Sequence, residues 1–164
     1  MSEKHNHTPF VTAGIVLGVG LGGFVDGIVL HQILQWHHML TSAGFPPTSV
    51  GNLEVNTLAD GLFHATTWVI TVIGLALLWR AKRQGEQPPV KILVGSIAVG
   101  WGLFNLVEGI IDHHILGIHH VRSGPDQLFW DLAFLAFGAV LVVIGWIVVR
   151  GGRAGLEARS GGGS

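Results

Sequence analysis

Residues 26–38 read DGIVLHQILQWHH, and residues 108–120 read EGIIDHHILGIHH. At one constant offset Asp26 matches Glu108, Gly27 matches Gly109, His31 matches His113, and His37-His38 match His119-His120. Ile33-Leu34 and Ile115-Leu116 keep the same frame. Each copy closes a long apolar run, so the fold starts from a repeated membrane helix that ends in histidine. Of the 10 histidines, only His5 and His7, in a polar N-terminal tail, lie away from these copies and their surroundings. Neutral imidazoles beside carboxylates form the ligand set that divalent first-row metals prefer.

Around the two copies the chain is greasy. Hydrophobic residues make up 49% and charged ones 12%, with mean hydropathy +0.54, against about 25% charged in a soluble domain. Four runs are long enough for a bilayer, which takes about 20 residues: Phe10 to Leu34, Leu58 to Trp79, Ile92 to Leu116 and Leu128 to Val149. The expected fold is all-α, a four-transmembrane-helix bundle built from two parallel helical-hairpin repeats, about 10–80 and 92–150. A polar tail, 1–9, precedes it. Residues 151–164 follow, and their LEARSGGGS end reads as an appended tail. No convincing signal peptide marks the first span for removal.

The lipid bilayer is the expected partner. A net charge of −1 gives no support to nucleic-acid binding. The absence of cysteine excludes disulfides, thiolate ligands and a thiol nucleophile. With Met1 and Met39 the only thioethers, a soft copper(I) relay is disfavoured. Gly14, Gly18 and Gly22 recur every fourth residue, a ridge of small residues on which a partner helix can close.

Basic residues set the expected orientation. Arg80, Lys82, Arg83 and Lys91 crowd the middle loop, and Arg150 and Arg153 follow the fourth span. The positive-inside rule then places both termini in the cytoplasm of a bacterial inner membrane. The histidine-rich helix ends face the periplasmic side. Asp60-Gly61-Leu62-Phe63-His64 echoes Asp126-Gln127-Leu128-Phe129-Trp130, which leaves His64 without a counterpart.

On straight helices, His31, His64 and His113 form a lower layer with Asp26, Asp60 and Glu108 nearby. His37, His38, His119 and His120 form an upper layer about two turns higher. Seven-residue spacing puts His31 with His38 and His113 with His120 on shared faces, whereas Asp26 and His37 share another. One centre is not expected to collect them all. The plainer reading makes the HH pairs solvated interfacial residues and the lower histidines core residues or a proton relay. Acids within a bilayer, Asp112 included, are costly enough to be functional candidates. The tryptophans, Trp36 and Trp130 among them, read as belt or core residues. No Ser-His-Asp triad, phosphate loop or HExxH motif is present.

The strings GGFVDGIVLHQILQWHHML, DGLFHATTWV and NLVEGIIDHHILGIHHVR, spanning Val11 to Arg150, resemble a family of small bacterial four-helix membrane proteins catalogued as a domain of unknown function. That family is associated with chromosomal neighbourhoods of copper-dependent cytochrome oxidase assembly factors. The resemblance therefore implies copper at the outer face and a respiratory oxidase or its assembly factors as partners. It supplies no catalytic residues.

The combined expectation is a membrane metalloprotein binding copper, or iron, through His31, His64, His113, His37, His38, His119 and His120, with Asp26, Asp60 and Glu108. A redox role, as a metal-dependent membrane oxidoreductase, or copper handling follows. His64 is expected as a third imidazole beside His31 and His113. Two alternatives stand: a b-type haem protein with His31 and His113 as axial ligands, and a proton or ion channel or carrier. Monomer and homo-oligomer are both compatible with the sequence.

Overall fold

A computed structural model describes residues 7–83 and 89–161. His5 lies outside the described residues. Among them the chain is all-helical, with four helices long and apolar enough to cross a membrane. We number them α1 (Thr8–Val25, continuing as π-helical turns over Asp26–Ile33), α2 (Val50–Arg83), α3 (Val90–Glu108, continuing as π-helical turns over Gly109–Ile115) and α4 (Gln127–Gly161).

The helix starts follow local chemistry. Pro9 stands in the first turn of α1, where its missing N–H is not needed. α2 begins at Val50 rather than near Leu58, because Ser49 Oγ accepts the Asn52 N–H at 3.2 Å and caps the extra turns. α4 runs on through Gly161, into the stretch expected to be a tail. Ala154, Leu156 and Ala158 are strong helix formers there.

Glycine decides the packing. α1 lies between α2 and α3, and α3 between α1 and α4, so the central pair is α1 and α3. A Cβ on Gly14 would lie 2.5 Å from Ser96 Cβ, and one on Gly100 would collide with the Ile15 carbonyl. Gly22 faces Trp101 on the same interface. The ridge expected from Gly14, Gly18 and Gly22 thus meets α3, and the absent side chains let the two backbones touch. α2 and α4 flank this pair and expose Trp68, Val72 and Leu75, and Val140, Val143 and Ile147, as suits helices with lipid on their outer sides.

Both central helices end alike. At Asp26 and at Gly109 the winding widens, and the last N–H groups reach back five residues: Leu34 to the Val29 carbonyl and Leu116 to the Ile111 carbonyl, each at 2.8 Å. Gln35 (φ 49°) and Gly117 (φ 58°) then turn the chain in the left-handed conformation that stops a helix. Beyond these stops the chain folds back over the bundle end, where the Ser42 N–H donates to the Ile118 carbonyl at 2.9 Å and joins the two loops. Asn56 anchors the first loop by accepting from Leu40 N at 3.0 Å and donating to the Phe45 carbonyl at 2.8 Å.

Candidate metal centre

The wide turns build the site. In an α-helix, residues five apart point about 140° away from each other. Wide turns bring them together, as π-helical segments often do at functional sites. His31 Nε2 lies 3.3 Å from Asp26 Oδ2, and His113 Nε2 lies 3.1 Å from Glu108 Oε1. The straight-helix sorting, which put Asp26 with His37 and His31 with His38, fails for this reason.

The two expected layers fail as well. Because α1 stops at Ile33 and the chain doubles back, His37 is not two turns above His31: their rings are 4.4 Å apart. His37 and His119 stack at 4.8 Å, and His119 lies 4.9 Å from the His113 ring. Two sets of three residues, His31, His37 and His119, and Glu108, His113 and His119, each offer ligand atoms within 4.8 Å of one another. His119 belongs to both. All five side chains are buried.

Each imidazole is oriented from behind. A carboxylate or carbonyl oxygen can only accept, so the ring nitrogen facing it carries the proton. His31 Nδ1 donates to Asp60 Oδ1 at 2.9 Å, and His37 Nδ1 donates to the Val121 carbonyl at 2.9 Å. His119 Nδ1 donates to the Met39 carbonyl at 3.3 Å, while His113 Nδ1 faces Asp131 Oδ1 at 3.5 Å. Each backbone carbonyl here belongs to the opposite half of the chain. The Nε2 atoms converge inward on one another and on Asp26 and Glu108. His119 Nε2 stands 2.7 Å from Glu108 Oε1, a contact that needs a proton or a cation between the two atoms. His31 Nε2, His37 Nε2, His113 Nε2, Asp26 Oδ2 and Glu108 Oε2 are all buried without a hydrogen-bond partner.

Electrostatics favour the ligand form of His37. Burial, and then the neighbouring His31 and His119, push its imidazole from the usual 6.5 down to about 2. It is neutral at any physiological pH.

Asp60 and Asp131 do the same work on opposite sides. Asp60 accepts from His31 Nδ1, from His38 Nδ1 at 2.7 Å and from Met39 N at 2.9 Å. Asp131 faces His113 and accepts from His120 Nδ1 at 2.8 Å and from Val121 N at 2.9 Å. His38 and His120 are therefore bound to these acids and stand outside both three-residue sets. The pairing of Asp60 with Asp126 is thereby corrected: Asp126 is exposed in the loop, and Asp131 bonds His120 and faces His113. Phe63 stacks on His31 at 5.7 Å and Phe134 packs on His113 at 5.3 Å. The signal was present in the repeated string Asp-x-x-Phe, at 60–63 and 131–134.

His64 does not join His31 and His113 in either set. Its Nδ1 is tied to the Asp60 carbonyl one helical turn back at 2.8 Å, and its ring covers Gly27, where a Cβ would meet Nε2 at 2.5 Å. The residue in that position on the other side is Leu135, over Gly109, and not Trp130. Trp130 instead packs on Trp36 at 5.0 Å, with the Arg122 guanidinium over both rings.

Four apolar helices with a buried cluster of imidazoles and acids at one end define a multi-pass membrane protein. The chain belongs to the family described as "Predicted membrane protein (DUF2243)", whose sequence model matches residues 13–152. No curated protein and no solved structure matches it.

Proposed function

We propose that the protein is a membrane metalloprotein whose bundle end holds copper, or iron as the alternative, on His31, His37, His113 and His119 with Asp26 and Glu108. The supporting observation is the convergence of buried Nε2 atoms, with the opposite nitrogens of His31, His37 and His119 bonded to Asp60 and two carbonyls and that of His113 facing Asp131 at 3.5 Å. Metal-ligating histidines nearly always donate their other N–H to such acceptors. A buried acid left without a counter-charge is expensive, and Asp26 and Glu108 each keep a buried oxygen without a hydrogen-bond partner. A cation would offset that cost.

Donors of this type, nitrogen and oxygen without sulfur, suit copper(II), iron and zinc. Copper and iron would supply one-electron chemistry, so a redox role ranks first, with copper handling beside a respiratory oxidase or its assembly factors as the alternative use of the same ligands. Asp60 and Asp131 act as positioning residues, Glu108 is shared between His113 and His119, and the apolar helices keep bulk water from the cluster.

We rank haem below a bare ion, because the His119 ring stands 5.8 Å from the His31 ring and 4.9 Å from the His113 ring, beside both of the expected axial ligands. Elemental analysis with optical and paramagnetic resonance spectra of the purified protein tests the proposal. Copper(II) or iron signals with nitrogen hyperfine structure are expected, and a Soret band or metal-free, folded protein would overturn it.

A further inference from the structure

How the candidate donors group bears on the number of ions. A metal such as zinc holds nitrogen and oxygen ligands at about 2.0–2.2 Å, so the donors round one ion lie within about 4.4 Å of each other. Among the described residues the candidate donors gather in two threes and not in one group of five. One ion on His31, His37 and His119 would leave His113 Nε2 and Glu108 Oε2 buried and unpartnered. One ion on Glu108, His113 and His119 would leave His31 Nε2, His37 Nε2 and Asp26 Oδ2 in that state. Either choice keeps costly orphans.

His119 Nε2 has one lone pair and cannot serve both threes. It lies 2.7 Å from Glu108 Oε1, which ties it to the second half. Asp26 takes the place left in the first half: its Oδ2 lies 3.3 Å from His31 Nε2, as Glu108 Oε1 lies 3.1 Å from His113 Nε2. The sequence agrees. Asp26, His31 and His37 follow at steps of five and six residues, and Glu108, His113 and His119 repeat those steps. Each copy of the repeat thus carries one carboxylate and two imidazoles, a ligand set known from iron(II) centres that keep open positions.

Charge gives an independent count. Asp26, Asp60, Glu108 and Asp131 are buried, and among the described residues no lysine or arginine is. Two divalent cations balance four carboxylates. A single one leaves two negative charges uncompensated away from water, which is expensive.

We infer that the bundle end holds two divalent first-row ions, one on Asp26, His31 and His37 and the other on Glu108, His113 and His119. The inference rests on the proposed metal centre, which leaves the number of ions open, and adds that each copy of the repeat completes its own.

The test is copper(II) titration of the purified full chain in lipid nanodiscs, with His5→Ala, His7→Ala and His114→Ala removing histidines away from the cluster. Bound metal is counted after desalting, and paramagnetic resonance reports whether the ions are neighbours. The parent chain should hold about two ions, with a signal broadened or diminished at full loading relative to half loading. His31→Ala and His113→Ala should each keep about one ion with an unbroadened signal, and the double variant should keep none. If either fails to fold, Asp26→Asn and Glu108→Gln, which preserve shape, should each weaken one ion by at least about 10-fold. His37 and His119 are unsuited to this count, since each also ties one loop to the other and its loss would loosen both sets. One ion in the parent chain, two ions with additive, unbroadened signals, or loss of both ions from folded His31→Ala would overturn the inference and leave the metal reading standing. No uptake by the folded parent chain would overturn both.

Discussion

His37 donates its Nδ1–H to the carbonyl of Val121, 84 residues along the chain. His119 makes the same reach to the carbonyl of Met39. Each loop therefore fixes the histidine of the other, and the set of His31, His37 and His119 draws on both halves. The cross-over explains why the helix ends stop where they do. A straight continuation of α1 would carry His37 up and away from α3, whereas the left-handed turn at Gln35 returns it beside His31.

The acids behind the histidines should matter without touching a metal. Asp60→Asn and Asp131→Asn should each lower metal affinity about 10- to 100-fold, the usual effect of losing such a partner, while helix content is kept. Competition with a chelator of known affinity measures this. Unchanged affinity in both variants would show that ring orientation is not set by these carboxylates.

Gln35 and Gly117 hold equivalent left-handed turns, yet only one is glycine. A side chain in that conformation costs about 1–2 kcal/mol. Gln35→Gly should therefore raise stability by about 1 kcal/mol, read as a higher unfolding midpoint in detergent, and Gly117→Val should lower it by a similar amount or more. A midpoint that falls in Gln35→Gly would mean that the Gln35 side chain contributes more than its backbone costs.

Burial of His37 also predicts a pH dependence. Its folded value, about 2, lies below the unfolded 6.5, so between these limits the unfolded chain binds the extra proton. Stability then falls as pH drops below 6.5, with a slope approaching about 1.4 kcal/mol per pH unit from this group. Metal-free protein should lose stability more steeply between pH 6.5 and 5 than its His37→Gln variant. Identical slopes would show that His37 is solvated or already protonated in the folded state.

The basic residues predict sidedness. A reporter fused after Arg153 should be cytoplasmic, and a tag at Thr48 should be reachable from outside the cell. An externally labelled C-terminus would invert the orientation and move the proposed metal centre to the cytoplasmic face.

Much of the fold was legible because apolar length and small-residue spacing are properties of the sequence. The four spans and a close helix contact at Gly14 and Gly18 are read from it directly, although not that the partner is α3. The site was only half legible. His31, His113, Asp26 and Glu108 stood out, but their mutual arrangement depends on where the winding widens. No residue type announces a π-helical turn, although the five-residue step from acid to histidine, repeated in both copies, is compatible with one. Asp131 was missed because Trp130 drew the pairing to Asp126, five residues too early. His64 stands outside both three-residue sets, which depth along a helix could not tell, because depth does not say which way a side chain points.

The central claim is that His119, shared by the two sets of three, is a ligand. The most direct measurement is the metal-to-protein ratio of membrane-extracted protein, compared among wild type, His119→Ala, His37→Ala and His114→Ala, whose histidine is exposed outside the cluster. The account predicts bound copper or iron in wild type and His114→Ala. It predicts a loss of most of that metal in His119→Ala and His37→Ala, each still folded by circular dichroism. Full retention of metal in folded His119→Ala, or no metal uptake by folded wild type, would contradict it.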